Sequence, residues 1–177
     1  MCGIAGMITS SGNVVPYLQN ALNALKTRGY DGFGIAASNK ELIKVGYKAL
    51  NELNDKIAKD ELSGKVGIVH SRWATHGEPL AKNAHPHQVG SIIVVHNGDI
   101  DNYLELKNEL IEKGCIFNSD TDTEVFAALV AYYRISEEQS FFNAVQSALD
   151  RLGATSTYAF LIMDETSPGE LIAARRG

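Results

Sequence analysis

Strand-like stretches that arrive in pairs, three helical patterns in a row, and a length that suits one folded core together predict an α+β chain. Its expected form is a layered sandwich, with helices covering the outer faces of antiparallel sheet. The clearest strand pairs are residues 33–38 with 42–47 and residues 155–163 with 170–174, each joined by a short link that favours a hairpin. The helical run fills most of residues 102–152. The 177 residues are 45% hydrophobic and 21% charged, ordinary values for a folded protein, and at ~150 residues per domain they read as one domain.

Taken in order, residues 3–9 (GIAGMIT) are short, apolar and followed by Ser10, Ser11, Gly12 and Asn13, the pattern of a buried strand ending in a turn. Pro16 suits a first helical position, and Leu18, Ala21, Leu22 and Leu25 recur at helical spacing up to Arg28-Gly29. The strand pair 33–38 and 42–47 follows, then a polar helix over 50–62. Residues 66–71 and 92–96 read as strands buried on both faces. Between them, residues 72–89 are rich in His, Pro, Gly and Asn and lack any apolar period, so they read as one long functional loop. Helices are expected over 102–113, closed by Gly114, and over 123–134 and 137–152; the final strands complete the order β-α-β-β-α-β-β-α-α-α-β-β.

Charge and composition exclude several roles. Sixteen Lys and Arg against 21 Asp and Glu give a net charge of −5, which does not suit nucleic-acid binding through phosphate neutralisation. The longest apolar runs, residues 91–95 and 158–163, fall far short of the ~20 residues that cross a bilayer, and the N-terminus lacks the basic start and apolar stretch of a signal peptide. Two cysteines, Cys2 and Cys115, are too few for a disulfide framework and fit a reducing compartment. A cytoplasmic chain with no membrane or nucleic-acid partner is expected.

Four segments carry chemistry. Cys2 follows the initiator Met1; were Met1 removed, the thiol would stand beside a free α-amine with a pKa near 8, and a terminal amine beside its own nucleophile is an activation device. The plainer reading is a small buried residue at the start of a strand. Second, His70-Ser-Arg-Trp-Ala-Thr-His-Gly-Glu lies where a buried strand runs out. There Arg72 offers a planar fork for a carboxylate, Trp73 a flat wall and Thr75 a hydroxyl; a surface ion pair beside a core Trp is the alternative. Third, in His96-Asn97-Gly98 the Asn97 amide and the Gly98 N–H can converge on one oxygen as an oxyanion hole, although Asn-Gly is also a common hairpin turn.

The fourth segment, Ser119-Asp-Thr-Asp-Thr-Glu124, holds more helix caps than one helix needs, which leaves acid for an ammonium group. The histidines at 70, 76, 85, 87 and 96 raise a zinc reading, but no paired-Cys or His-Glu-x-x-His motif supports it; His76 and His96 suit the wall of a site. Together these pieces describe a thiol nucleophile, an oxyanion donor pair, a carboxylate clamp and an ammonium clamp, a set that glutamine fits.

Six blocks occur in one order: Cys-Gly-Ile-Ala-Gly from Cys2, Arg-Gly-Tyr-Asp from Arg28, Arg-Trp-Ala-Thr-His-Gly-Glu-Pro from Arg72, Asn-Ala-His-Pro-His from Asn83, His-Asn-Gly from His96 and Thr-Asp-Thr-Glu-Val from Thr121. The chain thereby resembles the glutaminase domain of class II glutamine amidotransferases, and within that class the glucosamine-6-phosphate synthase branch. The resemblance implies a four-layer αββα sandwich of the N-terminal nucleophile hydrolase type. It implies that Cys2 attacks the glutamine side-chain amide and that Asn97 and Gly98 hold the oxyanion. Arg72 and Asp122 would clamp the α-carboxylate and α-ammonium, Trp73, Thr75, His76 and His96 would complete the pocket, and Arg28 and Gly29 would line the nucleophile end.

Residues 72–80 would form a lid, and neither metal nor cofactor is expected. The ammonia acceptor, fructose 6-phosphate by resemblance, would lie on a further domain or a separate chain. Residues 1–177 are read as the glutaminase domain without its C-terminal part, with a homodimer through a free sheet edge as an expectation. Gly32 and Phe33 stand where the family usually has Ser-Ala, and Asp99 where it has an apolar residue. A glutamine-binding module without turnover, or the glutaminase of another class II enzyme, therefore stays open as an alternative.

Overall fold

A computed structural model describes residues 2–38, 40–46, 49–73 and 78–177. The apolar segments near the N-terminus form one sheet. β1 (Gly3–Ile8) pairs with β4 (Val66–Arg72), β4 pairs on its other side with β2 (Gly32–Ala37), and β2 forms a hairpin with β3 (Lys40–Val45). The second sheet carries β5 (His87–Val89), β6 (Ile92–Asp99), β7 (Thr157–Asp164) and β8 (Ile172–Arg176) in that spatial order. Every pairing is antiparallel.

The side-chain period of two divides each central strand between two cores. In β6, Ile92 and Val94 face α3 (Tyr103–Glu112), α4 (Asp122–Ile135) and α5 (Phe141–Asp150), while Ile93 and Val95 face the other sheet. In β4, Val69 faces the layer of α1 (Val15–Leu25) and α2 (Leu50–Lys59), whereas Val66 and Ile68 join Ile93, Val95 and Met163 between the sheets. The result is a four-layer αββα sandwich, the form that the family resemblance implies.

Three elements differ from expectation. The long loop expected over residues 72–89 contains a 3-10 turn at Ala81–Asn83 and then β5. Val89 faces Ile92 across a two-residue Gly90-Ser91 connection, with Gly90 at φ 57°, a hairpin loop that favours glycine. The third helix of the run begins at Phe141 rather than 137, because Glu138 takes a left-handed φ of 51° and Ser140 caps α5 by accepting the Asn143 N–H at 3.3 Å. The Asn97-Gly98 pair is not a hairpin turn: β6 continues through it, opposite Ala159 and Tyr158 of β7.

Ile93 is 1% exposed in the layer between the sheets, whereas Leu104 on α3 is 61% exposed. Ile93→Ala is therefore expected to lower the unfolding free energy by about 2–5 kcal/mol, and Leu104→Ala to change it by less than about 0.5 kcal/mol. Urea titration of both variants measures the difference.

Candidate active site

Register determines where the first described residue lies. Gly3 pairs with Ser71, so Cys2 comes beside the end of β4, where Arg72 and Trp73 leave the sheet. The Trp73 N–H donates to Cys2 Sγ at 3.2 Å, and the thiol lies 3.4 Å from the Trp73 carbonyl. Two further donors hold the Cys2 carbonyl: Asn97 Nδ2 from the second sheet at 3.2 Å and Arg28 Nε at 3.3 Å. Burial raises the Cys2 thiol above its ordinary pKa, and the Trp73 N–H and the Arg72 charge offset this only in part. The resting sulfur is therefore protonated at neutral pH.

The backbone is tight around this corner. A Cβ on Gly29 would come 2.5 Å from the Arg72 carbonyl carbon, and the Asp31 N–H donates to the Arg72 carbonyl at 2.9 Å. Residues 28–31 thus brace the end of β4 from below. Gly98 has φ 152°, and a Cβ there would run into the Thr157 carbonyl oxygen, so only glycine lets β6 follow this path.

The acidic run divides its duties. Thr121 is the cap of α4 and accepts the Glu124 N–H at 3.4 Å. Glu124 reaches back past the cap to the N–H groups of Asn118 and Ser119, at 2.9 and 2.6 Å, which ties down the turn leading into α4, while the Thr121 N–H donates to Ser119 Oγ at 3.4 Å. Asp120 faces solvent, where it pairs with Lys82 at 2.9 Å. Asp122 remains: it is 5% exposed, accepts the Ile100 N–H at 3.1 Å and lies 3.6 Å from His96 Nδ1. The amino end of α4 favours its negative charge.

Cys2, Arg72, Trp73, His96, Gly98 and Asp122 line a single cleft. Arg28, Gly29 and Asn97 stand at its wall through the contacts above. Thr75 and His76, with most of the expected lid, lie outside the described residues. Arg72 is buried and donates from Nη1 to the Glu78 carbonyl at 3.0 Å. Burial pulls its guanidinium below the usual arginine value, opposed by Cys2, Asp31 and Asp122. His96 stacks on Phe160 with ring centroids 4.4 Å apart and meets Thr123 Oγ1 at 3.1 Å.

His85, Thr121 and Thr123 also line the cleft and were not singled out from the sequence as site residues. For the two threonines the signal was present in the Thr-Asp-Thr spacing, which sets residues 121 and 123 on either side of Asp122. His85 had only its place in the His-Pro-His triplet. Phe33 and Gly32 do not crowd the sulfur: the Phe33 ring is 2% exposed in the core beneath α1 and α2, and Gly32 packs against Ala84. Among the described residues no group of three or more His, Cys, Asp or Glu is placed to hold a metal ion.

Fold and cleft together define an amidotransferase of the N-terminal nucleophile type, and comparison with known proteins agrees. Residues 70–176 match the family model described as a glutamine amidotransferase domain. The chain belongs to the class II glutamine amidotransferases. Among curated relatives, it is 42% identical to the glutamine–fructose-6-phosphate aminotransferase (isomerizing) of Bacteroides thetaiotaomicron over 99% of this chain, and 44% identical to that of Buchnera aphidicola over 100% of it. It spans 29% of the length of each of these relatives. Among solved structures, the glutamine phosphoribosylpyrophosphate amidotransferase of B. subtilis superposes with TM-score 0.75 at 29% identity, covering 99% of this chain and 37% of that one.

The cleft rests on a buried row of histidines. His70 lies with His85 Nδ1 at 2.8 Å, and His87 meets Thr121 Oγ1 at 3.0 Å. Burial is the main influence that holds all three neutral, with the Arg72 charge acting the same way and the His96 carbonyl opposing it in part at His70; His70 is pushed down to about 3, and His85 and His87 lie well below the usual histidine value. The unfolded chain, with histidines near pKa 6.5, binds more protons than the folded one below that pH. Stability is therefore fully present above pH ~6.5 and is lost progressively as pH falls toward the folded values. Urea midpoints should fall steeply between pH 7 and pH 5, above the range where carboxylates titrate; a flat profile there would contradict the neutral cluster.

Proposed function

We propose that this domain hydrolyses the side-chain amide of L-glutamine to glutamate and ammonia through a thioester on Cys2. The observation that carries the reading is the position of the Cys2 sulfur on the Trp73 N–H while Asn97, from the opposite sheet, grips the carbonyl of the same residue. One amide hydrogen of Asn97 Nδ2 is committed to that carbonyl, and the second remains available to an oxyanion, since a side-chain amide has two. The Gly98 N–H would be its partner in the oxyanion hole.

In this mechanism Met1 is removed, and the α-amine of Cys2 takes the thiol proton. The thiolate attacks the amide carbon, the carbonyl electron pair moves onto oxygen, and Asn97 and Gly98 stabilise that charge. The amine then returns its proton to the departing nitrogen, which leaves as ammonia, and the acyl group stays on sulfur. Water adds to the thioester, giving its proton through the amine to the sulfur and its hydroxyl to the acyl carbon, and glutamate departs. Arg72 grips the α-carboxylate and Asp122 the α-ammonium, with Trp73, His96, Thr75 and His76 completing the pocket and Arg28 and Gly29 bracing the nucleophile.

The relatives named for fructose 6-phosphate support that sugar phosphate as the ammonia acceptor, held on a further domain or a separate chain. A cytoplasmic setting and self-association through the edge strand β8 belong to the same reading. No helix among the described residues is long and apolar enough to cross a membrane.

Cys2→Ala is expected to abolish glutamate release while leaving the unfolding midpoint unchanged; residual hydrolysis near the wild-type rate would remove the assignment. Asn97→Ala should lower kcat by about 10²–10³-fold, read in the same assay. Intact mass of active protein should correspond to a chain beginning at Cys2, because with Met1 attached the Cys2 nitrogen is an amide and no base.

A further inference from the structure

His85 is 6% exposed and lines the cleft, yet its Nε2 has no hydrogen-bond partner among the described residues. The protons on this ring follow from its neighbours. His70 Nε2 lies 2.9 Å from the His96 carbonyl, which can only accept, so Nε2 of His70 carries the hydrogen. The same nitrogen is 2.8 Å from His85 Nδ1; a second N–H there would meet the first hydrogen, so His85 Nδ1 is bare and shares the His70 hydrogen with the carbonyl in a three-centre bond. A neutral imidazole with a bare Nδ1 holds its proton on Nε2. His85 thus holds an unused N–H buried in the wall of the cleft, and a buried donor without an acceptor is unfavourable until something supplies one.

The site belongs to the corner that holds Arg72. Arg72 Nη1 and Asn83 Nδ2 both donate to the Glu78 carbonyl, at 3.0 and 3.1 Å, and Asn83 is two residues before His85. The positive charge of Arg72 is among the influences that keep His85 neutral. None of the hydrogen bonds that hold Cys2 involves His85. A neutral N–H and a guanidinium in the wall of one cleft call for an anionic acceptor that both can share.

We propose that His85 Nε2–H is a substrate-binding donor that holds the α-carboxylate of glutamine jointly with Arg72, an inference that rests on the glutaminase reading above. His70 has a positioning role: by donating to the His96 carbonyl it fixes the tautomer of His85 and also steadies the strand just before Asn97. The device reads the presence of a carboxylate without adding a second positive charge to the pocket.

The wild-type protein is first tested for glutamate binding and glutamine hydrolysis; failure of both removes the underlying reading. With those in hand, His85→Phe is expected to raise KM for glutamine by about tenfold or more, the loss of one hydrogen bond to a charged group, with kcat within about twofold. The kcat/KM for 4-aminobutanamide, which is glutamine without its α-carboxylate, should stay within about twofold of wild type. His85→Gln, which keeps an N–H near the Nε2 position, should recover part of the loss. An unchanged KM, or an equal loss on both substrates, overturns the proposal. Should the variants fail to fold, nitrogen NMR of the wild-type ring decides: an Nε2–H tautomer whose proton resonance moves on adding glutamate is expected, and an Nδ1–H tautomer or an unmoved resonance overturns it.

Discussion

The pairing of Gly3 with Ser71 is the constraint on which the site depends. It brings the extreme start of the chain to the point where β4 ends, and so puts the Cys2 sulfur on the Trp73 N–H. Because side chains alternate along a strand, a slip of one residue would send every side chain of β1 to the opposite face. Ile4 would leave the layer between the sheets, and the sulfur would no longer meet Trp73. Burial of β1 therefore does two jobs. The apolar alternation that stabilises the sandwich also selects the register that the proposed chemistry requires.

The space between the sheets changes character along its length. At one end Ala36, Val66, Ile68, Ile93, Val95 and Met163 make an ordinary apolar core. At the other end His70 meets the His96 carbonyl and His85, and Asn97 bridges to β1. Polar groups in such a place are tolerated only when they are hydrogen-bonded. His70 Nδ1, His85 Nε2 and His96 Nε2 have no such partner among the described residues. That concentration of unmet polar capacity lies beside the cleft rather than in the apolar half of the layer. It follows the general pattern in which local rules are broken at functional sites and compensated elsewhere, here by the fully apolar faces under α4 and α1.

Most of the fold was legible because its strands and helices have clean apolar periods, and the element order read from the sequence differs from the structure only by β5. That strand was hidden by its length of three residues, too short for a period to register, although Gly90-Ser91 is a recognisable two-residue hairpin loop. The start of α5 was misplaced because Glu137 and Glu138 look helical; Ser140 was the true signal. In the site, Cys2, Asn97, Asp122 and Arg72 were legible as residue types suited to a task. Their convergence was not, since it depends on two separate sheets facing each other. His85 was the least legible of all, because its role turns on which ring nitrogen carries a proton, and that is set by a carbonyl eleven positions along the chain.

The protonated resting state of the sulfur has a consequence for selectivity. Burial outweighs the help that the Trp73 N–H and Arg72 give to a thiolate, so in the proposed mechanism the sulfur gives up its proton only as it attacks substrate. A thiolate is the reactive form toward oxidants and stray electrophiles, and an uncharged thiol is comparatively inert. The substrate α-carboxylate would take up much of the positive field of Arg72 on binding, which makes a thiolate still less favourable. The proton must then leave to a base within reach at the moment of attack, and the charge must pass directly onto the oxyanion donors. The Trp73 N–H beside the sulfur is a donor and can take no proton, so in the proposed mechanism the base is the α-amine of Cys2 itself, and removal of Met1 decides whether the site can turn over.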